Sequence, residues 1–198
     1  MYKQALEKMG YTVSDPKTMK PSVFYVAAAA GDLDLWVNGW FGTHDTYISE
    51  AKGKVKAVGN VMAKGGLQGY LIDKKTADKL KIKSVMDIKK HAKQFDSNGD
   101  GKADMVACPP GWGCEKQITK HFAELGLGDF INPVQADYSA SMADAIAKYK
   151  NGKSVLFYTW TPNWTVGALE LGKDIVWIEV PYSETKKVKV ANATKSKI

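Results

Sequence analysis

A chain of 198 residues with 44% apolar side chains is long enough to bury the core of one domain or of two small lobes. Its net charge of +7 rests on 28 basic residues, every one a lysine, and those lysines are scattered; without arginine, the usual bidentate reader of guanine and phosphate, no nucleic-acid partner is expected. No apolar run approaches the roughly 20 residues of a membrane helix, and residues 1–6 lack the positive region, apolar stretch and cleavage site of a signal peptide, so none is read in this chain.

In chain order, residues 4–9 read as the end of a helix stopped by Gly10. Residues 11–13 and 22–26 carry β-forming side chains and predict strands, and residues 27–35 have helical propensity. His44 follows Trp40 by four positions, so the two share a face if a helix begins within residues 42–50. Residues 52–64 predict an edge strand and loop. Residues 67–73 read as a buried strand, followed by a short helix at 74–80 and a capping box at Ser84–Asp87 that opens another helix.

Beyond the Asx- and glycine-rich loop 96–104, an amphipathic helix is predicted over 115–125, with Ile118, Phe122 and Leu125 inward, His121 toward solvent and Gly126 as the stop. His91 is placed on the surface of a lysine-rich helix. A strand at 131–134, a helix at 139–150, and strands at 155–159 and 175–180 complete the pattern. Strands alternating with helices predict an α/β fold with a largely parallel sheet, in more than one lobe. No Walker or dinucleotide glycine loop is present.

Three constellations could carry chemistry. The two cysteines, Cys108 and Cys114, bracket Pro109, Pro110, Gly111, Trp112 and Gly113. Paired, they would close a small ring that presents an indole; unpaired, they would be reduced thiols in a turn, and a catalytic Cys114–histidine pair is disfavoured by the second cysteine. The loop at 96–104 places oxygens at Asp96, Asn98, Asp100 and Asp104, with the Lys102 carbonyl between them, as in the first part of a calcium loop. It lacks the bidentate glutamate, so the choice is between a weak structural calcium site and a hydrogen-bonded Asx turn.

The third constellation is aromatic. Trp40, Trp112 and Trp160 each lie at a loop or strand end beside glycine or proline. Three indole faces can hold a quaternary ammonium through their ring quadrupoles without any acidic residue. Glycine amides around Trp112, at the start of the 115–125 helix, suit a carboxylate. Cage and amides together describe a pocket for a betaine.

Four stretches in this order, 68–78, 95–104, 111–115 and 158–162, resemble the glycine betaine/proline betaine substrate-binding proteins of osmoprotectant ABC transporters. The resemblance extends over about residues 5–181. It implies a type II periplasmic-binding-protein fold of two lobes, with a partial first lobe at 1–73, a complete second lobe at 74–181, and a crossover or polar tail at 182–198. It also implies that Trp40, Trp112 and Trp160 box a trimethylammonium group, that His44, Gly113 and Cys114 hold the carboxylate, and that Cys108 and Cys114 are a disulfide. The expected protein is a monomeric, non-enzymatic, periplasmic receptor without a required cofactor, which passes its ligand to a membrane permease. Asn38-Gly39-Trp40-Phe41 departs from the family's usual Asn-Trp-Thr-Pro, which points to a shifted preference among methylated zwitterions. The alternative is a calcium-stabilised extracytoplasmic interaction module that binds no betaine.

Overall fold

Helix α1 (Tyr2–Lys8) gives way to Gly10, whose φ of 92° only glycine adopts without strain. In the computed structural model, which describes residues 1–62, 66–182 and 186–189, the next element is helix α2 (Pro21–Ala30). Pro21 opens it at the first helical turn and Gly31, at φ 91°, closes it. The strand expected at 22–26 is therefore helical. A proline start and the run of four alanines at 27–30 extend the helix through Val23 and Val26, because propagation adds one hydrogen bond for each further residue fixed. Residues 11–13 form no strand, and no strand lies in 52–62, the described part of the expected edge strand.

Phe24 and Tyr25 from α2 meet Tyr47 of helix α3 (Asp45–Glu50) in a small aromatic core, with Leu33, Trp36 and Ile48 packed against it. The larger core belongs to the rest of the chain. Strand β1 (Leu67–Asp73) runs into helix α4 (Lys74–Leu80), whose N-cap Asp73 accepts a 2.8 Å hydrogen bond from the Thr76 amide. Ser84 and Asp87 form the reciprocal capping box ahead of helix α5 (Ile88–His91).

Then follow β2 (Ala103–Val106), α6 (Gly113–Leu125), β3 (Ile131–Val134), α7 (Tyr138–Lys150), β4 (Leu156–Thr161), α8 (Thr165–Ala168) and β5 (Ile175–Trp177). Strands β6 (Glu179–Tyr182) and β7 (Lys186–Lys189) pair antiparallel. The remainder of the 182–198 prediction lies outside the described residues.

The five-stranded sheet has the order β3-β2-β4-β1-β5. β2 is parallel to β3 and β4, as the helical connections through α6 and α7 require. β1 is antiparallel to both β4 and β5. The expectation of a largely parallel sheet is thus corrected to a mixed one: β1 alone runs against the other four strands. Residues 67–73, grouped by sequence with the first lobe, are hydrogen-bonded into this sheet. Alternation along β1 sends Tyr70 and Ile72 into the core on one face and Leu71 into that on the other, so the strand is buried on both sides.

Candidate functional site

Trp112 is the N-cap of α6, and no side chain caps that helix. Its first amides, beginning at Gly113, are consequently left without helical partners. Cys108 and Cys114 are bonded, closing the ring with a Cα–Cα separation of 6.0 Å. Within the ring Gly111 takes a φ of 89°, which a β-carbon would disfavour. Its carbonyl accepts from the Ser22 amide and from the Tyr47 hydroxyl, each at 3.4 Å, tying the ring to α2 and α3.

Trp160 stands in the last turn-ward part of β4 and meets Trp112 edge-to-face, with centroids 5.7 Å apart and planes at 67°. Behind both lies Tyr138, 5.9 Å from Trp112 and 4.9 Å from Trp160. Its hydroxyl donates to the Tyr158 carbonyl at 2.9 Å and shares a hydrogen bond with Thr159 Oγ1 at 2.8 Å. Burial raises the Tyr138 phenol far above its ordinary pKa, so it stays a neutral prop for the two indoles.

Trp40 and His44 close a turn on each other. The His44 amide donates to the Trp40 carbonyl at 2.8 Å, and the Trp40 amide donates to His44 Nδ1 at 3.2 Å. Trp40 Nε1 donates to Asn38 Oδ1 at 2.9 Å, which fixes the indole. The helix anticipated within 42–50 begins at Asp45, just after the histidine. Only 4% of His44 is exposed. Burial pushes its imidazole down to about 4, although the neighbouring Asp45 carboxylate pulls the other way. At neutral pH the ring is uncharged.

All six residues selected from sequence for a ligand, Trp40, His44, Trp112, Gly113, Cys114 and Trp160, line one cavity of about 430 Å³. Among the described residues lining it there is no carboxylate, while Lys20 is present. Such a cavity can hold a cationic group only against aromatic faces, and it offers donors to an anionic one.

The loop at 96–104 spends its oxygens on itself. Asp96 accepts from the amides of Asn98, Gly99 and Gly101, and those bonds to Gly101 and Gly99 hold its carboxyl below the usual range. Asp100 accepts from the Lys102 amide and from Asn132, Asp104 accepts from Ser97, and Asn98 Oδ1 accepts from the Asp100 amide. Among the described residues no group of three or more His, Cys, Asp or Glu side chains could hold a metal ion. The calcium expectation for Asp96, Asn98, Asp100, Lys102 and Asp104 thus finds no support, and the loop's oxygens are engaged as in a hydrogen-bonded Asx turn.

A profile described as the substrate-binding domain of ABC-type glycine betaine transport systems, OpuAC, matches residues 1–195. The chain belongs to this family. It is 46% identical over 183 residues to the glycine betaine/proline betaine-binding periplasmic protein of Escherichia coli K12, covering 91% of this chain and 56% of that one. A similar match, 46% over 183 residues, joins it to the glycine betaine-binding periplasmic protein OusX of Dickeya dadantii, covering 91% of this chain and 55% of that one. The chain thus spans about half the length of these relatives. Lactococcal OpuAC in its closed form with glycine betaine superposes with a TM-score of 0.72 at 18% identity, over 98% of this chain and 67% of that one. The glycine betaine/L-proline-binding protein ProX of Borrelia burgdorferi gives 0.73 at 20% identity, over 98% and 66%. These structural likenesses place the OpuAC-family chain in the type II periplasmic-binding-protein fold.

Several residues of this OpuAC-family site escape sequence reasoning. Trp36, Thr43 and Gln68 also line the cavity, and Gln68 donates from its amide to Thr43 Oγ1. Gln68 sits in a stretch that reads as ordinary strand and Trp36 falls just past the helical stretch at 27–35; no spacing signal marks either. His121, expected toward solvent, is 2% exposed. It turns inward because Tyr70 on β1 offers its hydroxyl 3.1 Å from Nδ1 while Gln117, one turn back, lies 2.7 Å from Nε2. A histidine with both nitrogens engaged is buried without an unpaired polar group. His91 is half-buried on the short helix α5.

Proposed function

We propose that this chain is the ligand-capturing part of an ABC importer for glycine betaine, proline betaine or a similar methylated zwitterion. The trimethylammonium group packs against Trp40, Trp112 and Trp160, whose ring faces attract it by about 2 kcal/mol or more per desolvated contact. The carboxylate takes hydrogen bonds from the His44 imidazole and from the Gly113 and Cys114 amides at the start of α6. The observation that carries this reading is that all six residues surround one cavity with no carboxylate among its described lining residues. Nothing in this reading transforms the ligand; no group in the cavity is assigned as acid, base or nucleophile.

The buried Cys108–Cys114 bond favours an oxidising, extracytoplasmic setting, in line with the periplasmic relatives. There the chain acts as a monomer that hands its ligand to a membrane permease. Residues 1–73 contribute to the first lobe and 74–181 form the second; β1 contributes its ladder to the second lobe's sheet.

Tryptophan fluorescence titrated with glycine betaine tests the reading. A saturable quench or shift is expected. A sample that is folded by circular dichroism and shows no change at millimolar ligand would reject it.

A further inference from the structure

Two donors converge on one nitrogen of His44. The Trp40 amide lies 3.2 Å from Nδ1 and the Tyr25 hydroxyl lies 3.2 Å from the same atom. A backbone amide only donates, so Nδ1 must be the lone-pair nitrogen of the ring, and the single proton of the neutral imidazole resides on Nε2. The Tyr25 hydroxyl, facing the same lone pair, then donates as well. Nε2 belongs to the edge that approaches Gly113: a β-carbon built on that glycine would stand 2.8 Å from His44 Cδ2.

Tyr25 is held for this task. It is 5% exposed, its ring stacks on Tyr47 with centroids 5.5 Å apart, and it meets the His44 ring edge-on at 5.6 Å. Burial, aided by Asp45 and Tyr47, pushes its phenol up to about 12, so the proton it donates is retained at any physiological pH. Tyr47 continues the chain of contacts to the disulfide ring through the Gly111 carbonyl.

We propose that the Tyr25 hydroxyl is a positioning group that acts with the Trp40 amide to hold His44 as the Nε2–H tautomer, so that the imidazole presents a donor to the anionic end of the bound zwitterion. The Nδ1–H tautomer would instead present a lone pair at Nε2, which repels a carboxylate. Tyr25 lies outside the residues lining the cavity and acts only through His44. The proposal rests on the betaine-binding reading for its ligand, and on the two Nδ1 contacts for its chemistry.

Nitrogen-15 shifts of the His44 ring in the ligand-free chain, measured alongside glycine betaine titrations of the parent chain, Tyr25→Phe, His44→Ala and the double variant, test it. Expected are a pyrrole-type Nε2 and a pyridine-type Nδ1 in the parent, and a measurably larger Nδ1–H fraction in Tyr25→Phe, where only the Trp40 amide still donates to Nδ1. The Kd for glycine betaine should rise about five-fold in Tyr25→Phe, the worth of one hydrogen bond. In the His44→Ala background the same substitution should leave Kd unchanged, which a merely structural role for Tyr25 would not produce. A parent ring protonated at Nδ1, or an unaltered tautomer ratio in Tyr25→Phe, overturns the proposal. If the parent shows the Nε2–H tautomer, loses part of it in Tyr25→Phe, and yet binds no glycine betaine, the control of the tautomer by Tyr25 stands and the ligand reading is what falls.

Discussion

Gly113 and His44 are packed so closely that no side chain fits between them. A β-carbon on Gly113 would stand 2.8 Å from His44 Cδ2 and 2.7 Å from Thr43 Cγ2, with the Thr43 carbonyl 3.0 Å away. Two parts of the chain separated by β1 and β2 meet at this point, one supplying an imidazole and the other the first amides of α6.

Gly113→Ala must therefore displace the Thr43–His44 backbone. We expect glycine betaine affinity to fall by more than about ten-fold while the urea midpoint moves by the equivalent of 1–3 kcal/mol, the usual cost of overpacking. Isothermal titration together with urea denaturation separates the two. Parent-like affinity in the alanine variant would show that the contact does not shape the site.

In the proposed reading Trp112 forms one wall of the cage; it is braced by Trp160 and Tyr138. Trp112→Ala should raise Kd by about 30-fold, corresponding to about 2 kcal/mol for one desolvated cation–π contact. Equilibrium dialysis with labelled glycine betaine reads this directly. An affinity within two-fold of the parent would remove Trp112 from the cage.

The described residues lining the cavity include donors and Lys20 but no carboxylate. A ligand that pairs its ammonium with its own carboxylate uses both halves of such a site, whereas choline leaves the donors unmatched. Choline should bind more than about ten-fold more weakly than glycine betaine, since hydrogen bonds to a charged group are worth roughly 1.5–3 kcal/mol. Competition of the two ligands by fluorescence decides it, and equal affinity would mean the amide and imidazole donors contribute nothing.

Two buried imidazoles set an acid limit on stability. Burial lowers both His44 and His121 to about 4, further helped at His121 by Lys120. In the unfolded chain both titrate near 6.5, so between about 6.5 and 4 the unfolded state binds protons that the folded state refuses. Their contribution is fully present above about 6.5 and is lost as pH falls toward 4, by up to about 3 kcal/mol per ring. Urea midpoints at pH 7 and 4.5 should show the loss, and His121→Gln should reduce the slope. An identical slope in that variant assigns the acid sensitivity elsewhere.

Sequence reading reached the site better than it reached the scaffold. Trp40, Trp112 and Trp160 are large, rare and set close to glycine or proline, so their positions at loops and a strand end are legible from composition and local chemistry alone. Tyr25 and Tyr138, which hold His44 and the indoles in place, read as unremarkable members of a β-rich run and a helix start; only tertiary packing distinguishes them. The 22–26 segment shows the same limit, because β-branched and aromatic side chains there yield to a proline start and an alanine run. Capping residues were legible at Ser84 and Gly126, where a side-chain acceptor or a left-handed backbone acts locally. The direction of β1 was not, since nothing within residues 67–73 records which neighbour it will pair with.

The Gly111 carbonyl is the point where the disulfide ring touches the N-terminal helices, and both hydrogen bonds it accepts there, from Ser22 and Tyr47, are 3.4 Å long. Bonds near the outer limit of hydrogen-bond geometry are weak. The covalent ring keeps Trp112 and the α6 amides in register whether or not those bonds are made. The stronger ties across the cavity lie elsewhere, in the Gln68–Thr43 hydrogen bond and in Lys116 seated 3.9 Å over the Tyr47 ring, so in the proposed reading release of a zwitterion would have to break these as well as the cage.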